Sequence, residues 1–305
     1  IFYSMKKNYP RDMIGYGSKT PVIKWPNDAK LALQIVLNYE EGAENCVLHG
    51  DKMSESFLSE IVGAQPIRGR HINMESFYEY GSKRGFWRLH ELFQKKKIPI
   101  TIFGVGMALE RNKDVCEAIK ESNYEIASHG WRWIDYQKIP KATEKKHMLL
   151  AIQSIKKIFG KRPLGWYTGR CSPNTRDLVM EEGGFLYDSD SYSDDLPYWV
   201  TKGKKKQLII PYTLDNNDMR FTTNQGFNSG DQFFTYLKDS FDALYEEGST
   251  NPKMMSVGLH CRLIGRPGRI QSLKKFLDYV LKHDDVWICK RIDIAKHWIK
   301  NYQNI

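Results

Sequence analysis

The sequence predicts an α/β fold, a single distorted (β/α) barrel of about seven units. Three observations carry this. Short β-rich runs alternate with helical patterns of roughly 10 to 20 residues, the signature of βαβ units and a parallel sheet. No low-complexity linker or compositional break divides the 305 residues, so one closed unit is expected, with an N-terminal extension over about residues 1–29. No Gly-x-Gly-x-x-Gly or Gly-x-x-x-x-Gly-Lys-Ser/Thr loop follows a strand, which removes support for nucleotide-binding doubly wound sheets.

Element by element, the nearly continuous apolar run Leu31–Tyr39 (LALQIVLNY) reads as a buried strand. Glu75–Lys97 is an amphipathic helix ending in a lysine run, Pro99–Val105 a strand, Lys113–Ser122 a helix and Tyr124–Ser128 a strand. A long helix over about Thr143–Phe159 leads to a strand at Gly165–Thr168, a helix at Asn174–Glu182 and a strand at Phe185–Asp188. Asp231–Glu247 is helical, Met254–His260 (MMSVGLH) a strand, Arg269–His283 a helix, Val286–Cys289 a strand and Ile292–Tyr302 a helix.

Composition narrows the function classes. The chain carries 46 Lys plus Arg against 36 Asp plus Glu, a formal charge of +10. The lysines are dispersed over helix faces and turns, and no zinc-finger spacing or RNA-binding aromatic motif is present, so no nucleic-acid partner is expected. No apolar run approaches the ~18 residues of a membrane span. The stretch Ile1–Lys7 is too poor in apolar residues for a secretory core, and a cytoplasmic protein is expected. Five cysteines without a Cys-x-x-Cys pair make neither a disulfide framework nor a zinc knuckle; they are expected as reduced thiols.

The chemistry concentrates at strand ends. In such barrels, polar residues just past a strand's carboxyl end face the site. The first strand ends in Asn38-Tyr39-Glu40-Glu41-Gly42, and another runs into Ser128-His129-Gly130-Trp131-Arg132-Trp133. Others run into Tyr167-Thr168-Gly169-Arg170-Cys171, Asp188-Ser189-Asp190 and Gly258-Leu259-His260-Cys261-Arg262. Alone, Glu40-Glu41-Gly42 reads as an exposed acidic turn and either histidine as a satisfied core residue. Together, a carboxylate pair and two histidines at strand mouths form an acid–base set. Arg170 and Arg262 suit an anion or a developing oxyanion, and Trp131 and Trp133 suit the walls of a pocket for a small flat ligand. His71 and the Arg11-Asp12 pair are candidates for a supporting role only.

The order of these motifs resembles the polysaccharide deacetylase superfamily, the NodB-homology group. The phrases YPRDMIGYG, NYEEGAE, HGDKMSESFLSEI, SHGWRWIDYQ, GWYTGRCSPNT, PYTLDNNDMRF and SVGLHCRLIGRPGR are similar to the metal-independent allantoinases of that superfamily, over about residues 9–300. The resemblance implies a polysaccharide deacetylase-like barrel. It places the superfamily's carboxylate pair on Glu40 and Glu41, its metal-binding histidines on His129 and position 133, its arginine motif on Arg170 and its last histidine on His260. Position 133 is Trp133, so the ligand set shrinks to Glu41 and His129, and zinc chemistry needs about three protein ligands. No metal or other cofactor is therefore expected.

What the resemblance implies for activity is hydrolytic opening of the hydantoin ring of allantoin to allantoate, with a small cyclic ureide as partner and a homotetramer as assembly. Glu40 or Glu41 would activate water, one of them with its pKa raised by its neighbour. Arg170, Arg262 or protonated His129 would face the oxyanion, and His260 or His129 would protonate the leaving nitrogen. Asn38, Asn217 and Asp218 offer partners to the ureido group. The competing readings are a metal-dependent carbohydrate or amide deacetylase, against which Trp133 stands, and a non-catalytic deacetylase-like binding protein. The long segment between Gly42 and Met74 suits subunit contacts or a lid.

Overall fold

The structure, a computed structural model, describes residues 9–122 and 124–305; residues 1–8, the start of the expected extension, and Asn123 lie outside it. In chain order the first half holds β1 (Leu31–Tyr39), α1 (Ile72–Tyr80), α2 (Phe86–Lys96), β2 (Ile100–Gly104), α3 (Gly106–Glu110), α4 (Lys113–Glu121), β3 (Glu125–Ser128) and α5 (Lys141–Phe159). The second half holds β4 (Gly165–Trp166), α6 (Thr175–Glu182), β5 (Tyr187–Asp188), β6 (Tyr198–Lys202), β7 (Lys205–Ile209), α7 (Gly230–Glu247), β8 (Lys253–His260), α8 (Pro267–Val280), β9 (Val286–Ile288) and α9 (Arg291–Asn301).

The strands form one sheet in the order β6-β7-β5-β4-β3-β2-β1-β8, with β9 beside the start of β1. All neighbours are parallel except the β6–β7 hairpin. The expected distorted barrel takes the form of a curled half-barrel whose path ends at β6 and β8. A single bridge from Asn217 to Gly258 continues it past β8.

β1 is buried at all nine positions, which explains its unbroken apolar run. Its register sets Asn38 level with His260 on one side and Phe103 on the other. Gly104 pairs with Ser128, and Ser128 with Trp166. The ends of β1, β2, β3, β4 and β8 therefore finish along one rim, and Glu40, His129 and His260 emerge from it together.

The β6–β7 hairpin, absent from the sequence reading, turns at Gly203 with φ 60°. Its TKGKKKQ stretch is charged and mostly exposed, so it lacks the apolar alternation that marks a strand. The helix expected over 75–97 runs from 72 to 96 and is interrupted by a π-helical turn at 81–85. Two glycines there admit close neighbours. A Cβ on Gly81 would lie 2.3 Å from Glu41 Oε1, and one on Gly85 would lie 1.9 Å from the Cys261 carbonyl oxygen. The wide turn thus lets the helix press against the loops that follow β1 and β8.

Under the rim, Arg291 is fully buried at the first position of α9. Its guanidinium donates to Gln34 Oε1 (3.0 Å) on β1, Ser256 Oγ (2.8 Å) on β8 and the Pro211 carbonyl (2.9 Å) beyond β7. One cation therefore ties β1, β8 and the segment beyond β7 to the last helix, with its donors satisfied as burial requires.

The contact at Gly85 supplies a stability test. Gly85→Ala should destabilise the protein by about 3 kcal/mol or more through backbone overlap, whereas Gly69→Ala, which meets nothing within 4 Å, should change it by less than about 1 kcal/mol. Urea unfolding midpoints measure both, and equal midpoints would remove the packing role assigned to the π turn.

Candidate active site

Glu40 is the first residue past β1 and is wholly buried. Its Oε1 lies 3.2 Å from His129 Nε2 and 3.4 Å from His260 Nε2, while its Oε2 accepts from Arg262 Nη1 at 2.7 Å. Behind His260, Nδ1 lies 2.6 Å from Asp218 Oδ1. Asp218 Oδ2 accepts the backbone N–H groups of His260 (2.8 Å) and Ile264 (3.0 Å). The result is a buried chain, Asp218–His260–Glu40–His129, crossing from the segment beyond β7 to the ends of β8, β1 and β3.

The electrostatics follow from this geometry. Burial alone would raise Glu40, but the Arg262 and His260 charges and hydrogen bonds from both histidines hold it well below the ordinary carboxylate value. Burial would lower His260, yet Glu40 and Asp218 on either side raise it to about 9, so it is an imidazolium at neutral pH. Glu41 differs from its neighbour: burial raises its pKa, opposed by Arg262 and reinforced by the charge of Glu40. The raised carboxylate of the pair is the one packed against Gly81, away from the histidines.

Glu40, His129 and His260 open onto a cavity of about 560 Å³ whose floor also includes Asn38 and Asn217. Asn38 Nδ2 donates to the Leu259 carbonyl and to the Tyr212 hydroxyl, both at 3.0 Å, which fixes its amide. One wall is Trp133, stacked at 6.0 Å and 15° on Phe57. Arg170 lies over both rings, 4.9 Å from Phe57 and 5.1 Å from Trp133, with Glu55 Oε2 at 3.5 Å.

The expected site residues thus divide. Glu40, His129, His260, Asn38, Trp133, Arg170 and Asn217 come together around the cavity. Trp131 does not: its ring packs on Gly106 of α3, while Trp133, two residues further along the irregular loop after β3, lines the cavity. Asp218 offers nothing to a ligand, since its oxygens are taken by His260 and Ile264. Arg262 and Glu41 lie behind Glu40, outside the cavity lining. Asp188 and Asp190 bind Arg176 and the backbone N–H groups of Thr168 and Gly169. His71 caps α1, and Asp12 caps its own turn at Ile14 and Gly15.

Several contributors were not anticipated. Phe57 and Leu58 come from the long irregular segment after β1, Tyr167 follows β4, and Tyr212 follows β7. Tyr167 and Tyr212 sit inside the quoted phrases GWYTGR and PYTLDNN, which was the available signal. Nothing local singles out Phe57. All five cysteines are free thiols; Cys171 is exposed at the cavity and Cys261 is buried behind it.

A metal centre does not fit these side chains. Among the described residues, no group of three His, Cys, Asp or Glu is placed to hold an ion. Glu41 is turned toward Gly81, Trp133 brings a ring rather than a ligand, and the Arg262 guanidinium lies between the two carboxylates. Nor is any helix of the described residues long and apolar enough to cross a membrane.

Comparison with known proteins agrees with this architecture. The sequence profile of the family described as polysaccharide deacetylase matches residues 74–181. A curated protein of Schizosaccharomyces pombe, named "Putative polysaccharide deacetylase", is 43% identical over 309 residues, covering 94% of this chain and 96% of that protein. The crystal structure of a "probable Polysaccharide deacetylase" from Pseudomonas aeruginosa superimposes with a TM-score of 0.95 at 61% identity, over 96% of this chain and 99% of that one. The crystal structure of PuuE allantoinase gives a TM-score of 0.95 at 58% identity, over 97% and 99%. Similarity of this extent, on a curled parallel sheet with its acid–base residues along one rim, makes this chain a member of the polysaccharide deacetylase family.

Proposed function

We propose that the protein is an allantoinase: a hydrolase that opens the hydantoin ring of allantoin at a cyclic amide C–N bond, giving allantoate without a metal. The observation that carries this reading is the buried chain Asp218–His260–Glu40–His129 on the floor of the cavity. The likeness to PuuE allantoinase supports the substrate. A cytoplasmic setting and a homotetramer go with it, from the resemblance.

Glu40 is the base. It takes a proton from water as the oxygen attacks the ring carbonyl, and its low pKa keeps it ionised across the working range. Its deficit in basicity is offset by the fixed position that Arg262 and the two histidines give it. His260, charged and backed by Asp218, donates to the departing ring nitrogen. His129 has no carboxylate behind Nδ1, which is buried and unpartnered among the described residues, so its Nε2–H, which rests on Glu40 Oε1, is the group that turns to donate to the carbonyl oxygen. After ring opening the proton on Glu40 returns to His260, 3.4 Å away, and the site is reset. Asn38, Asn217 and Arg170 orient the ureide from the floor and wall, and Trp133 gives the flat ring a surface.

Purified protein given racemic allantoin should form allantoate at the same rate with and without a chelator. Absence of product in both conditions defeats the allantoinase reading; loss of activity with the chelator alone, together with release of acetate from N-acetylated sugars, selects a metal-dependent deacetylase instead.

Glu40→Gln should lower kcat by about 1000-fold while leaving KM within a few-fold, because it removes the base and not the pocket. For wild type, kcat/KM should stay level down through the ordinary carboxylate range and fall as pH rises through about 9, where His260 loses its proton. Asp218→Asn removes one of the two charges that hold His260 protonated. The alkaline limb should move to lower pH, with a loss in kcat on the order of 100-fold. A pH–rate profile whose alkaline limb is the same in Asp218→Asn and wild type argues against His260 as the acid.

A further inference from the structure

Beneath the acid–base residues lies a cation that a ligand in the cavity does not meet. Arg262 follows His260 by two residues and is 0% exposed. Its Nη1 serves two carboxylates at once, donating to Glu40 Oε2 at 2.7 Å and lying 3.6 Å from Glu41 Oε1. The guanidinium packs on Tyr78, 4.3 Å from the ring centre, and lies 5.1 Å from that of Trp133, the geometry in which an aromatic face favours a positive charge. Its Nε and Nη2 have no hydrogen-bond partner among the described residues, so charge and the two rings hold it in place.

The surroundings leave the pair little freedom. Gly81 in the π turn lies against Glu41 Oε1, which blocks that carboxylate from swinging toward the helix. On Glu40 the donors are segregated: both histidines approach Oε1, and Arg262 approaches Oε2. The oxygen that Arg262 takes decides which oxygen is left for the cavity. Removing the guanidinium would leave two adjacent buried carboxylates facing the single charge of His260, an arrangement in which one carboxylate keeps a proton.

We infer that Arg262 is the positioning residue of the site: shared by Glu40 and Glu41, it turns Glu40 Oε1 toward the histidines and keeps that carboxylate ionised. A fixed side chain thereby supplies the charge balance for which a bound ion would otherwise be needed. The inference rests on Glu40 as the base proposed above. The other groups acting on Glu40 are His129 from the end of β3, His260 with Asp218 behind it, Glu41 next to it and Tyr78 from α1, while Glu44 on the same loop acts on Glu41 and Arg262.

The test uses Arg262→Ala and Arg262→Lys in the full chain, each checked for folding by near-ultraviolet circular dichroism. Carbon-13 detection of glutamate carboxyls, with Glu40→Gln to assign the signal, follows Glu40 without substrate. In Arg262→Ala, Glu40 should titrate at least about one unit higher than in wild type. The acid limb of kcat/KM should move upward with it, and kcat should fall about 100-fold with KM within about threefold. Free guanidinium chloride should restore at least about tenfold of the loss by entering the vacated space, whereas equal concentrations of sodium or zinc chloride should not. Should Arg262→Ala not fold, Arg262→Lys carries the test, since one ammonium cannot reproduce a planar cation lying against both Tyr78 and Trp133; it should show the same shifts in smaller measure. An unshifted Glu40 titration in the folded variant, or an acid limb unchanged from wild type, overturns the inference. A wild type that titrates as expected but leaves allantoin intact refutes the substrate assignment and leaves the role of Arg262 standing.

Discussion

The site depends on one carboxylate kept charged at the buried end of the cavity. Glu40 is wholly buried, and an isolated carboxylate there would take up a proton rather than remain ionised. It stays charged because three groups from different parts of the sheet converge on it: Arg262 and His260 from β8 and the turn after it, and His129 from β3. Much of the surrounding architecture accommodates that convergence. The register of β1 against β8 puts Asn38 level with His260, so that the next residues of both strands meet. The π turn brings helical backbone against Glu41 and Cys261. Tyr78 and Trp133 cover the guanidinium with aromatic faces, which exclude water without competing for its charge.

A second buried arginine does similar work for the scaffold. Arg291 joins β1, β8 and the Ile210–Pro211 backbone from below, and Tyr212, next in the chain, reaches the cavity floor and accepts from Asn38. Two cations, one above the other in the half-barrel, thus hold the strands in the spacing that the acid–base chain requires. Neither contributes to the Lys-rich exterior from which the charge of +10 mostly arises.

Much of this was legible in the sequence because burial writes itself as apolar runs. Leu31–Tyr39 and Met254–His260 announce central strands, and the polar residues directly after them announce a rim. Glu40, His129 and His260 were found for that reason. Orientation beyond the strand was not legible. Trp131 and Trp133 are two residues apart, yet the period-2 rule lapses in a loop that turns at Gly130, and only Trp133 reaches the cavity. The division of labour between Glu40 and Glu41 rests on contacts with Arg262 and Gly81, which are far away in sequence. Asp218 was recognised as polar and near the site, but its partnership with His260 spans 42 positions and has no local mark. The β6–β7 hairpin escaped because its lysines describe a surface and not a strand.

The segment from Gly42 to His71 brings Phe57 and Leu58 to the cavity and Glu55 to Arg170, yet it contributes only one short 3₁₀ turn of regular structure. Proton transfer is thus assigned to strand ends locked by register, and ligand contact is partly assigned to irregular chain. These two layers are free to evolve at different rates. Replacements along the loop can reshape what the cavity admits without disturbing the hydrogen-bonded carboxylate and histidines beneath it, a route by which one ancestral scaffold can come to serve chemically distinct amides.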